Sequence, residues 1–123
     1  MSIGVDVNAL AGELERFGVA AFVLTAGEEG RPHISHVALR LDHGALRCEV
    51  GRRTAANARL SPQVAILWPP YESGGYSLIV DADATVDGTG LHLTATRAVL
   101  HRPAPSGEGG AAANDCRSLD RAQ

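Results

Sequence analysis

The sequence predicts a mainly β fold, an antiparallel barrel of six strands with two short helices. Three observations predict it. Six short apolar or alternating segments are joined by Gly- and Asp-rich turns of hairpin length. The repeated long helices that a doubly wound parallel sheet needs are missing. Helical spacing occurs in only two places, near the N-terminus and between the third and fourth strands.

Taken in order, Asp6 or Asn8 caps the first helix, and Val7, Leu10, Leu14 and Phe17 follow with helical spacing until Gly18 ends it. AAFVLTA at 20–26 is a buried strand, and GEEG at 27–30 is a hairpin turn. RPHISHVALRL at 31–41 is the partner strand, with Pro32 placing its start at a sheet edge. The DHG turn at 42–44 leads to the third strand, ALRCEV at 45–50. A helix follows over about 54–60, stopped by Ser61-Pro62. QVAILW at 63–68 is the fourth strand, ended by Pro69-Pro70. A loop with Gly74-Gly75 leads to a long fifth strand at 76–86, and DGTG at 87–90 turns the chain into the sixth, at 91–100. From Pro103 onward Pro, Gly, Ala and Ser dominate, so a single domain at 1–102 carries a flexible tail at 103–123.

Composition narrows the function. A chain of 123 residues suggests one domain with a modest core. All eleven basic residues are arginine, so there is no lysine to form a Schiff base, including the usual anchor for pyridoxal phosphate. A net charge of −3, two phenylalanines and no basic run argue against a nucleic-acid partner. No apolar run approaches the ~20 residues of a membrane helix, and no charged, apolar leader opens the chain. The expectation is a soluble cytoplasmic protein with no membrane partner.

One stretch carries most of the chemical interest: GRRTAANARLSP at 51–62. A helix start offers unpaired N–H groups and partial positive charge, which suit a phosphate. Thr54 caps the helix or turns its hydroxyl to the phosphate, while Arg52 or Arg53 grips the anion and Asn57 lies one turn later. The same residues also fit a capped surface helix with solvated arginines.

Other candidates are weaker. His33 and His36 are three apart in a strand and point to opposite faces, so they do not chelate one ion. Asp81, Asp83 and Asp87 resemble a calcium loop, but Val86 and His92 stand where the loop needs Gly and Glu. There is no GxSxG elbow. Cys48 reads as a small buried residue, and the pair Cys48 and Cys116 shows no CxxC. HRPAP at 101–105 is an unusually polar exit from the last strand, either a ligand contact or a strand terminator. Trp68 either stacks on a ligand or belongs to the core or a dimer interface.

The order of these pieces resembles the pyridoxamine 5′-phosphate oxidase-like, FMN-binding split barrels. The resemblance runs over about 20–101. It rests on GRP at 30–32, the RT…N…SP…V pattern from Arg53 to Val64, and IVDADA at 79–84. It implies a six-stranded antiparallel split β-barrel and a homodimer with flavin at its interface. By position, Ser35, His36, Val37, Ala38 and Arg40 resemble the strand under the flavin, and Arg47 and Cys48 the next strand's contact pair. Arg53 and Thr54 resemble the phosphate-binding pair, with Arg52 beside them, and Ser77 matches a position that approaches the flavin. Thr54 stands where some members carry lysine. The C-terminal substrate-binding residues of true pyridoxamine phosphate oxidases are not found, which puts oxidation of pyridoxamine phosphate in doubt. What the resemblance implies is a small flavin-dependent oxidoreductase with a small-molecule substrate. The alternatives are an F420-dependent reductase, a non-catalytic flavin- or haem-binding module, and a dimer without cofactor.

Overall fold

The structure is a computed structural model, which describes residues 1–104. Its elements are β1 (Ser2–Val5), a 3-10 turn (Val7–Ala9), α1 (Leu10–Phe17), β2 (Ala20–Ala26), β3 (Pro32–Ala38), β4 (Arg40–Asp42), β5 (Ala45–Glu49), α2 (Arg52–Leu60), β6 (Gln63–Trp68), β7 (Ser77–Asp87) and β8 (Gly90–His101). All strand pairs are antiparallel, and the sheet runs β3-β2-β6-β7-β8-β5-β4, with β1 added to the end of β8.

The two ends of that order are one stretch of chain. β3 pairs with β2 along its full length, and after Leu39 the chain continues as β4, which pairs with β5. A strand that belongs to both edges curls the sheet into a half-barrel, and its inward face becomes the core. Leu39 sits at the crossing, 3% exposed, and its N–H donates to the Val19 carbonyl at 2.7 Å. That bond carries the β2–β3 ladder one step further before the strand changes partner.

Alternation along the strands fills the interior. Ala21 and Val23 of β2, Val64, Ile66 and Trp68 of β6, Leu78 and Val80 of β7, and Leu91 and Leu93 of β8 all point inward and are buried. In β8 the pattern slips. Asp81 pairs with Arg97 but Ala82 pairs with Ala95, so Thr96 is an extra residue, a β-bulge. Its hydroxyl donates to the Asp81 carbonyl at 3.2 Å. The bulge resets the alternation, which is why Leu93 and Ala98, five residues apart, both face the core.

The mainly β expectation holds, with differences of detail. Eight strands form instead of six. Residues 2–5 make an unexpected edge strand on β8, and the segment 31–41 divides at Leu39. Asp6 does cap the first turn, accepting from the Asn8 N–H at 2.9 Å, and Gly18 ends α1 at a φ of 81°. Helix α2 begins at Arg52, two residues earlier than expected, so Thr54 lies inside it and Gly51 is the cap residue, with no side-chain cap. Trp68 is wholly buried, so of its expected roles the core one is realised. The tail expected at 103–123 lies outside the described residues apart from its first two positions.

Trp68 also ties the core to the end of α1, because its indole N–H donates to the Gly18 carbonyl at 3.1 Å. Replacing it with Phe keeps an aromatic ring but leaves that carbonyl without its donor and a small void beside it. The expected cost is on the order of 2 kcal/mol of unfolding free energy, read as a lower urea midpoint with unchanged slope.

Candidate cofactor-binding site

Helix α2 lies across one end of the barrel, and its sequence explains how it is held. Thr54, Ala55, Asn57 and Ala58 are buried while Arg52, Arg53, Ala56 and Arg59 face out. Small side chains on the inner face let the helix approach the sheet closely. Two side-chain hydrogen bonds then fix its position. The Thr54 and Ser35 hydroxyls bond to each other, joining α2 to β3. Asn57 Nδ2 donates to Thr25 Oγ1 at 3.2 Å, joining α2 to β2. Gly27 allows this second contact, since a Cβ there would come 3.3 Å from Asn57 Oδ1.

The start of α2 therefore points in a defined direction. The Ala55 N–H bonds back to the Gly51 carbonyl at 3.1 Å, which leaves the N–H groups of the first three helical residues without helical partners. Beside them lies a cleft of about 390 Å³, lined by Arg53, Ala56 and Asn57 of α2 and by Gly27, Glu28, Arg31, Pro32 and His33. Arg31 was not singled out by sequence reasoning, although it is the arginine of the GRP signature. Among the described residues the ion pairs involve Arg16, Arg47, Arg97 and His43, and none involves Arg31, Arg40, Arg52 or Arg53. Cationic side chains without carboxylate partners, next to a helix start, suit an anionic group.

A second cleft of about 390 Å³ lies where β3 and β5 part, lined by Ala38, Arg40, Arg47, Cys48 and Glu49. Arg40 and Arg47 face each other across the β4–β5 pair, and Asp42 holds Arg47 through its Nε at 3.1 Å. Along the chain, Val50 and Gly51, the short link between β5 and α2, separate the β5 residues of this cleft from the α2 residues of the first. Between them the structure gathers Ala38, Arg40, Arg47, Cys48, Arg53 and Asn57.

The remaining predicted residues take other places. Ser35 and Thr54 bond their hydroxyls to each other, which uses one of the two hydroxyl protons, and neither residue lines the α2 cleft. Val37 is a core residue at 8% exposure. His36 lies on the outer sheet face, stacked on Phe22 with ring centroids 4.8 Å apart and planes at 20°. Ser77 opens β7 opposite His101, three strands from β3 in the sheet order. The outer face is apolar: Phe22, Leu67, Ile79 and Val99 stand in one cross-strand row, with His36 at its end. Ile34, on the same side of β3 as His36, is 61% exposed.

Cys48 is not a nucleophile at neutral pH. Burial, assisted by the Glu49 carboxylate, pushes its thiol from 9.0 up to about 11. Among the described residues no three of His, Cys, Asp and Glu gather as a metal-ligand cluster, and no helix is long and apolar enough to cross a membrane.

No established family model matches the sequence. Two uncharacterised proteins, from Mycobacterium bovis and Mycobacterium tuberculosis, are 39% identical over 62 residues. The match takes in 45% of this chain and 44% of each relative, so it spans less than half the length of either relative. Solved structures share the fold at low identity. A protein related to general stress protein 26, of the pyridoxinephosphate oxidase family, from Clostridium acetobutylicum is 18% identical with a TM-score of 0.60, covering 80% of this chain and 91% of its own. An F420 reductase is 13% identical with a TM-score of 0.56, covering 65% and 88%. An FAD-binding protein from Mycobacterium smegmatis is 12% identical with a TM-score of 0.56, covering 83% and 100%. The fold is thus the split barrel of the pyridoxamine 5′-phosphate oxidase-like and flavin-binding proteins, as the sequence resemblance implied.

The raised thiol pKa has a measurable sign. The folded protein holds the Cys48 proton more tightly than the unfolded chain, so its contribution to stability falls as pH rises from 9.0 to about 11. In a Cys116→Ser background, iodoacetamide is expected to label the native protein far more slowly than the urea-unfolded chain at mildly alkaline pH. Mass spectrometry of the two time courses checks this.

Proposed function

We propose that the chain binds FMN as a homodimer and acts as a small flavin-dependent oxidoreductase. The observation that carries this reading is the set of arginines at the start of α2 that have no ion-pair partner among the described residues. Arg53 and Arg31 line one cleft, with Arg52 beside them, and three helical N–H groups lack helical partners. That donor set fits a phosphate in charge and in hydrogen-bonding capacity. Thr54 supplies its backbone N–H to the phosphate, while its hydroxyl, bonded to Ser35, keeps the helix start in place. Arg53 supplies the charge contact, and Arg52 or Arg40 takes the part that lysine plays in some split barrels. The cleft at Ala38, Arg40, Arg47 and Cys48 includes the end of β5 that leads into α2, and it takes the ring end of the cofactor.

When bound, the isoalloxazine supplies the hydride chemistry. The protein orients the ring and shields it from water, and the neutral Cys48 thiol adds no competing charge. The half-buried apolar row Phe22, Leu67, Ile79 and Val99 supports the dimer, since a second copy can cover an aligned apolar strip.

An absorption spectrum of the purified protein, followed by titration with FMN and with F420, tests the reading. A flavin spectrum, or saturable FMN binding tighter than that of F420, is expected, and analytical ultracentrifugation of that sample gives twice the chain mass. Arg53→Ala is expected to weaken FMN binding by on the order of 1.5–3 kcal/mol, roughly ten- to over a hundredfold in Kd, with folding unchanged. Preference for F420, or an Arg53→Ala variant with wild-type affinity, contradicts the proposal.

A further inference from the structure

We infer that Arg31 makes the α2 cleft specific for a terminal phosphate, a phosphate monoester, against a phosphate esterified on to a further group. The inference rests on the flavin reading and names the class of cofactor that the site accepts, FMN over FAD.

The cleft has two walls that come from different parts of the chain. Arg53, Ala56 and Asn57 of α2 form one, and the β2–β3 turn with the start of β3 forms the other. Each wall carries one arginine, and neither Arg31 nor Arg53 has an ion-pair partner among the described residues. The backbone sets where Arg31 stands. Gly27 donates its N–H to the Arg31 carbonyl at 2.8 Å, and the Arg31 N–H donates to the Glu28 carbonyl at 3.4 Å. Pro32 holds the residue before it in an extended form, and Arg31 has a φ of −66° and a ψ of 123°. The turn is then seated on α2. Asn57, bonded to Thr25, lies against Gly27, where the turn begins. In these contacts Arg31 uses only its backbone, and the residue is exposed. Its guanidinium is left for a ligand.

Glu28 is the one acid of the lining, against two arginines, and it pairs with neither. The cleft therefore keeps a net positive charge beside the positive end of α2. This arrangement discriminates by charge and by ester bonds. A phosphate monoester carries about 1.5 to 2 negative charges at neutral pH, spread over three free oxygens. The helix N–H groups and Arg53 take one side of it, and the oxygens on the other side are left to Arg31. In FAD the same phosphoryl group bears a second phosphoryl and an adenosine. One of its oxygens is then a bridge, a single charge stays at the helix start, and the added group competes with Arg31 for its place. The second phosphoryl also enters a cleft that holds the Glu28 carboxylate, a repulsive element against the longer ligand.

Isothermal titration calorimetry of the purified full chain with FMN and with FAD, at neutral pH and constant ionic strength, tests this. Wild type is expected to bind FMN at least about tenfold tighter than FAD, and Arg31→Ala to narrow that gap at least about fivefold by weakening FMN. Arg53→Ala removes a contact to the phosphoryl that both ligands share, so it weakens both and leaves the gap as in wild type. FAD bound by wild type as tightly as FMN, a wild-type gap in Arg31→Ala, or a gap narrowed equally by Arg53→Ala overturns the inference and leaves the flavin site standing. Binding of neither flavin overturns the flavin reading, and the inference with it.

Discussion

Everything in this molecule depends on one strand belonging to both edges of the sheet. β3 pairs with β2, β4 pairs with β5, and Leu39 joins them with its side chain in the core and its N–H on the Val19 carbonyl. An open seven-strand ribbon would leave its inner face to solvent. Making its two edges consecutive in the chain lets Val37, Leu39, Leu46 and Trp68 share one interior. The cost is a gap where β3 leaves β5, and that gap is the cleft lined by Ala38, Arg40, Arg47 and Cys48.

The closed sheet sets the helix, and the helix sets the electrostatics. Thr25 of β2 and Ser35 of β3 turn polar groups toward the barrel end, where an apolar pair would let α2 slide. Thr54 and Asn57 meet them, so two hydrogen bonds define where the helix begins. The arginines outside then stand beside N–H groups that no helical carbonyl satisfies. Their charges add to the helix dipole, an arrangement that repels cations and destabilises the helix start unless an anion is nearby. On the proposed reading, structure and binding are divided within one residue: the Thr54 hydroxyl holds α2 to β3, and its N–H is left for an anion.

How much of this was legible depended on whether the signal was local. The β2–β3 and β7–β8 hairpins announce themselves through GEEG and DGTG, and the alternation of VAILW shows which of its residues face the core. The division at Leu39 was not legible, because VALRL at 37–41 alternates straight through it and the change of partner lies in strands distant in sequence. The Thr96 bulge was hidden for the same reason, since HLTATRA shows a slipped period only when the pairing is known. Ser2–Val5 form a strand only because β8 offers a free edge. For the site, GRRTAAN pointed to the helix start, but the inward turn of the Thr54 hydroxyl required Ser35, nineteen residues away. Arg31 stood in the quoted GRP motif yet came into view only when the β2–β3 turn folded against α2.

The central claim is that the α2 start is a phosphate site, and the direct comparison is between FMN and riboflavin, which differ only by the phosphate. Fluorescence titrations of the purified chain with each ligand measure that difference in isolation. FMN binding at least about tenfold tighter than riboflavin, with the gap narrowing at high salt, is the result the account predicts. Equal affinities would mean that the arginines at 52 and 53 hold no phosphate and that α2 is a solvated surface helix.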